Sequence, residues 1–268
     1  RVTDRSGRPA ADGTAVFFSL EPPDLASLLP AVQTTSEGRA ATRLVSGLRS
    51  GRVQVRAITV GDRSAQLAVR ILAGPAVNLR LASRLPHLVV GGPKTVLTAT
   101  VGDRFGNPVP DAPIRFRTDV GGLGLLEGRS TAAGTVTSTL SPGFRVGVAR
   151  LRADSGNLQA GLDLAILAGP PASIALSTDA STLRLGQSAQ VSAMVRDLYA
   201  NPVSGAAVAF AFDLGTMTPV TGTTGTNGLA RSRLSALRGG VGLLEARTAD
   251  LYRAIRIDVQ GWRIFLPR

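Results

Sequence analysis

The strongest constraint on this chain is that it repeats. Ile71-Leu72-Ala73-Gly74-Pro75 returns as Ile166-Leu167-Ala168-Gly169-Pro170, 95 residues later. A second series runs Asp4-Arg5-Ser6-Gly7-Arg8-Pro9, Asp103-Arg104-Phe105-Gly106-Asn107-Pro108 and Asp197-Leu198-Tyr199-Ala200-Asn201-Pro202, at spacings of 99 and 94 residues. A third places Gly38, Gly134 and Gly228 after Ser/Thr-rich turns, each followed six residues on by Leu44, Leu140 or Leu234. A fixed long period marks one supersecondary unit used several times. Divided by about 95, the 268 residues fall short of three whole units.

Inside each copy the apolar period is two, the mark of a strand with one buried face. Ile114 and Phe116 alternate with Arg115 and Arg117. The corresponding apolar positions are read as Ala15 and Phe17 in the first copy, and as Val208 and Phe210 in the third. No segment sustains the i, i+3, i+4, i+7 spacing over the ~11 residues of an average helix. The expectation is an all-β chain of three tandem immunoglobulin-like antiparallel β-sandwiches: residues 1–73, incomplete, then 74–168 and 169–261, with a tail at 262–268. The Gly-Asn-Pro and Ala-Asn-Pro segments read as turns whose asparagine takes left-handed backbone. With no cysteine, each core holds by aliphatic packing alone.

The residues also carry a family resemblance. Thr98-Ala99-Thr100-Val101, Asp103, Gly106-Asn107-Pro108-Val109-Pro110, Ile114, Phe116, Thr131, Gly134, Val136 and Leu140 fall in the order of a bacterial Ig-like domain of the invasin and intimin type, which this segment resembles. Val191 to Val195, Asp197, Asn201-Pro202-Val203 and Gly228 repeat it, and the first copy departs from it at Arg8, where the family has asparagine. The resemblance implies rigid spacers and adhesive modules outside the bacterial cell.

Charge and composition narrow the function. The net charge of +12 invites a nucleic-acid reading, but it divides evenly, with ten Arg/Lys and six Asp/Glu in each of residues 1–75, 76–170 and 171–268. Backbone-phosphate binding concentrates its cations and interleaves aromatics for stacking. Neither pattern is present, so no nucleic-acid partner is expected, and no stretch nears the ~20 apolar residues of a membrane span. One histidine and no cysteine exclude thiol chemistry and any centre built on two imidazoles. His87 reads as a strand-end residue. Asp4, Asp103 and Asp197 read as turn residues accepting backbone N–H groups rather than as calcium ligands, since no Asp-x-Asp cluster accompanies them. Gly121-Gly122-Leu123-Gly124 and Gly239-Gly240-Val241-Gly242 read as hairpin turns, and Glu127 and Glu245 as isolated carboxylates. No enzyme activity, metal or cofactor is expected.

The two ends do not match. Arg1-Val2-Thr3-Asp4 aligns with Thr100-Val101-Gly102-Asp103, so the first copy lacks its first two strands, and a sandwich without them exposes a strand edge and part of its core. Aligning Gly261 with Gly74 sets Ile264 beside Val77 and Leu266 beside Leu79. The tail Trp262, Ile264, Phe265 and Leu266 is therefore a candidate donated strand, with Val2, Ala15 and Phe17 as the acceptor core. The other reading is a fragment whose tail caps its own third domain. Two function classes follow: a subunit of a surface filament or stalk, self-associating head to tail, or a cell-surface adhesin binding a receptor or glycan through domain-end loops.

Overall fold

The computed structural model describes residues 1–61 and 63–261. All 24 regular elements among them are β-strands. Unit 1 holds β1 (Ala15–Glu21), β2 (Ala26–Leu29), β3 (Val32–Thr34), β4 (Arg43–Ser46), β5 (Gly51–Thr59) and β6 (Ser64–Ile71). Unit 2 holds β7 (Asn78–Ser83), β8 (His87–Val89), β9 (Thr95–Gly102), β10 (Pro113–Thr118), β11 (Gly122–Leu123), β12 (Glu127–Arg129), β13 (Thr135–Ser141), β14 (Gly147–Ser155) and β15 (Leu158–Leu167). Unit 3 holds β16 (Ser173–Thr178), β17 (Thr182–Arg184), β18 (Ser188–Arg196), β19 (Ala207–Phe212), β20 (Gly215–Thr218), β21 (Thr221–Thr223), β22 (Leu229–Ala236), β23 (Gly240–Thr248) and β24 (Leu251–Gln260).

Unit 2 is a sandwich of sheet β12-β10-β14-β15-β8 and sheet β11-β13-β9-β7; unit 3 repeats it strand for strand, and no sheet crosses a unit boundary. All ladders are antiparallel except two: β8 runs parallel to β15, and β17 parallel to β24. These short strands cross from the sheet of β7 or β16 to close the edge of the other. The period of two fixes which face is buried. Leu97, Ala99 and Val101 of β9, Ile114 and Phe116 of β10, and Ala149, Leu151 and Ala153 of β14 point inward, while Arg115, Arg117, Arg150 and Arg152 point to water. Each large aliphatic or aromatic side chain so buried contributes about 1.5–3 kcal/mol.

The co-occurrence of two sequence series has a steric cause. Gly134 has φ +71°, and a Cβ there would stand 2.6 Å from the Val101 carbonyl oxygen and 3.0 Å from Pro108. At Gly228 the same atom would meet the Val195 carbonyl at 2.7 Å and Pro202 at 2.9 Å, and at Gly38 it would meet Pro9 at 2.7 Å. The turn glycine lies against the proline of the Asp turn, so each requires the other.

Unit 1 is less complete than expected. Its sheets are β3-β1-β5-β6 and β2-β4, which match β12-β10-β14-β15 and β11-β13, so counterparts of three strands, β7, β8 and β9, are absent among the described residues. The additional one is the short parallel strand, too brief to show as periodicity. Only Val16, Leu25 and Val53 are buried apolar residues in this unit. Where β9 would lie, Phe18, Leu28, Leu44, Val55, Leu67 and Val69 line an apolar groove of about 390 Å³.

The acceptor-core expectation is corrected by one residue. Phe18 pairs with Ala57 as Phe116 pairs with Ala153, so Val16 and Phe18 hold the inward positions, not Ala15 and Phe17. Phe17 is 48% exposed, and Ala15 is only half-buried. A slip of one flips every side chain to the other face, and the run Val16-Phe17-Phe18 offers no polar residue to set the phase. Val2 does stand in the place of Val101: its N–H donates to Gly38 and its carbonyl accepts from Ala10, as Val101 does with Gly134 and Val109. It is half-buried where Val101 is fully buried. Trp262, Ile264, Phe265 and Leu266 lie outside the described residues.

Candidate functional site at the unit junctions

The Asp turns do more than turn. Asp103 Oδ1 accepts the N–H groups of Phe105 at 2.8 Å and Asn107 at 2.9 Å, and Asp197 Oδ1 accepts those of Tyr199 and Asn201 at 2.9 and 2.8 Å. The left-handed residue is not the asparagine, as the sequence suggested, but the one before it: Gly106 at φ +81° and Ala200 at φ +64°. The asparagine side chain is thereby freed to face the neighbouring unit.

At the first junction the Asn107 carboxamide bridges two backbone groups of unit 1. Its Oδ1 accepts the Ser50 N–H at 2.8 Å, and its Nδ2 donates to the Leu48 carbonyl at 2.8 Å. The second Nδ2 hydrogen goes to Asp103 Oδ2 at 2.8 Å, which also accepts the N–H of the linker residue Gly74 at 2.9 Å. The second junction repeats the pattern. Asn201 Oδ1 accepts the Val146 N–H at 3.2 Å, Nδ2 donates to the Phe144 carbonyl at 2.9 Å, and Asp197 Oδ2 holds Gly169 N–H at 3.1 Å. One aspartate and one asparagine thus tie together the preceding unit, the linker and the following unit. A carboxamide offers an acceptor and two donors on one plane, and here all are used.

The carboxylates feel this bonding. Donation from the Asn107 side chain, with the N–H groups of Gly74, Asn107 and Phe105, outweighs burial and holds the Asp103 carboxyl down at about 2. For Asp197, burial pushes up, and the donors from Asn201, Gly169 and Tyr199 together bring it below the ordinary value. Asp4 keeps the turn, with Oδ1 accepting from Ser6 N–H, Ser6 hydroxyl and Arg8 N–H, and is lowered chiefly by the Ser6 hydroxyl. Arg8 in the asparagine position leaves unit 1 without the carboxamide.

The second junction adds an aromatic lock. Tyr199 of unit 3 packs on Phe144 of unit 2, ring centroids 4.8 Å apart, and its ring lies where a Cβ on Gly91 would be. At the first junction the counterpart Phe105 has no aromatic partner among the described residues and stacks instead on the guanidinium of its own neighbour Arg104 at 4.3 Å. No counterpart of Gly91 is present among the described residues of unit 1.

The remaining candidates are dispersed. His87 is exposed at the start of β8. Glu127 pairs with Arg115, and Glu245 accepts the Tyr252 hydroxyl at 2.9 Å, in different units. The Gly121 and Gly239-Gly240 segments are corners joining opposite sheets, not hairpins, because β10 and β11, like β22 and β23, lie in different sheets. What the sequence reading missed is the receiving side, Leu48-Arg49-Ser50 and Phe144-Arg145-Val146. Its signal is a large apolar residue followed by arginine ahead of β5, β14 and, as Leu237-Arg238, β23.

Comparison with solved structures identifies the architecture. The chain is similar to FdeC, an Escherichia coli adhesin, at TM-score 0.64 and 18% identity, over 96% of this chain and 90% of that one. It is similar to invasin, a bacterial integrin-binding protein, at TM-score 0.60 and 17% identity, over 97% of this chain but 55% of invasin. InvD of Yersinia pseudotuberculosis aligns at TM-score 0.61 and 16% identity, over 95% of this chain and 89% of that chain. The fold is the tandem Ig-like fold of the invasin type. No family model matches the chain. Among the described residues there is no group of three or more metal-ligating side chains and no helix long enough to cross a membrane.

Proposed function

We propose that this chain is a non-enzymatic stalk segment of a bacterial cell-surface adhesin, exposed outside the cell, that holds binding loops away from the surface and meets a receptor or another surface protein through domain-end loops. The observation that carries the reading is the clasp made twice, Asn107 on Leu48 and Ser50, and Asn201 on Phe144 and Val146. A stalk has to resist bending at its joints, and these bonds act only at the joints. The likeness to FdeC and invasin supports the same reading. The test is to immobilise the full chain and measure capture of receptor-bearing host cells, with the chain free in solution as competitor. Saturable capture by a protein that sediments as a monomer is expected; polymers forming without any ligand would instead favour a filament.

The filament reading has one observation in its favour, the groove of unit 1 flanked by the unpaired edges of β4 and β6. In that reading Trp262, Ile264, Phe265 and Leu266 of one copy enter the groove of the next, where Val16 and Phe18 line the core. Seven residues replace one strand of three. Negative-stain images of the chain with and without residues 262–268 decide it, since filaments that persist after the deletion rule out tail donation.

A further inference from the structure

The receiving side of the clasp recurs a third time, with nothing among the described residues seated on it. The alignment of β5, β14 and β23, whose inward residues are Val53, Ala149 and Gly242, equates Leu48, Phe144 and Leu237, and likewise Ser50, Val146 and Gly239. At the first two positions the carbonyl and the N–H two residues on are taken by Asn107 and Asn201. At the distal end of unit 3, among the described residues, the Leu237 carbonyl and the Gly239 N–H have no backbone partner. The ledge abuts the end of β24: a Cβ on Gly239 would stand 3.2 Å from the Gly261 Cα. Leu237 is 61% exposed, as Leu48 is 64% and Phe144 is 62% at the two filled ledges. The Arg238 guanidinium folds back onto the Asp213 carbonyl and leaves the ledge open.

We propose that the Leu237–Gly239 ledge is a docking site for an Ig-like unit carrying an Asp-x-x-x-Asn-Pro turn, and not for the first unit of a second copy of this chain. The specificity lies in one residue. Asparagine presents an acceptor to Gly239 N–H and a donor to the Leu237 carbonyl, whereas a guanidinium has donors only. Arg8, which stands in the asparagine position of unit 1, can take the carbonyl but leaves the N–H unmet. The ledge therefore selects against head-to-tail assembly through this contact. The inference rests on the clasp invoked for the stalk.

The chain has no cysteine, so pairs of introduced cysteines can be spin-labelled without background. The test replaces residues 262–268 of the chain with a second copy of residues 75–168, which brings its own Asp103 and Asn107, and measures pulsed electron–electron distances across the new junction and across the junction of units 2 and 3. The expected result is a distance distribution at the new junction as narrow as that of the existing one, widening at least twofold when the appended copy carries Asn107→Ala or Asn107→Arg. A new junction whose width ignores both substitutions, beside a narrow existing junction that widens with Asn201→Ala, overturns the ledge and leaves the stalk standing. An existing junction that is itself broad and indifferent to Asn201→Ala overturns both.

Discussion

Asn107 Oδ1 accepts the backbone N–H of Ser50 at 2.8 Å across the boundary between two separately folded sandwiches. Its amide replaces, for one residue, the strand partner that no neighbouring sheet supplies there. Each such bond has a modest net value, about 0.5–1.5 kcal/mol, but an unmet partner in a dry junction costs about 1–3 kcal/mol. The second clasp is the drier one, with Asn201 only 8% exposed.

Asn201→Ala removes bonds to Phe144 and Val146 and a donor to Asp197. The expected cost to unit 3 is about 2 kcal/mol, with loss of coupled melting between units 2 and 3 by calorimetry. Asn107→Ala, at the half-exposed junction, costs less.

Acid loosens the first joint. The Asp103 carboxyl titrates at about 2 in the folded chain, below the ~3.9 of an unfolded aspartate. A depressed carboxylate contributes stability that is present above the unfolded value and lost as pH falls through the folded one. The melting temperature of unit 2 is expected to fall between about pH 4 and about pH 2, and Asp103→Asn flattens that segment of the profile. Asp197 and Asp4, lowered as well, act in the same direction on units 3 and 1.

Gly91→Ala meets two obstacles, a φ of +62° and the Tyr199 ring, whose hydroxyl oxygen would be 2.4 Å from the new Cβ. A destabilisation of about 1–3 kcal/mol is expected. Adding Tyr199→Ala should recover the steric part and leave the backbone part, a coupling readable from a double-mutant cycle in urea.

Ala200 sits at φ +64° where unit 2 has Gly106 at +81°. Ala200→Gly is expected to raise the stability of unit 3 by up to about 1 kcal/mol, relief of left-handed strain exceeding the added chain entropy. A lowered melting temperature would contradict it.

The register of β1 is tested by a pair. Val16→Ala, at a site 2% exposed, is expected to destabilise unit 1, and Phe17→Ser, at 48%, to change it by no more than about 0.5 kcal/mol.

Much of this was present in the linear order of residues. The 95-residue period, the two-residue alternation and the Asp, Pro and Gly positions determine a tandem all-β chain, because each reports a local requirement: which face is wet, where φ turns positive, which atom would clash. Three matters needed tertiary structure. Val16-Phe17-Phe18 is apolar on both faces, so only pairing with β5 decided which rings turn inward. That a third strand, β8, has no counterpart among the described residues of unit 1 is recognisable only because β8 lies parallel on β15. Asn107 looked like a turn residue, since its sequence neighbours are turn formers; its partners Leu48 and Ser50 are 59 and 57 residues away. Local sequence specifies the turn, and only the meeting of two units decides what the turn holds.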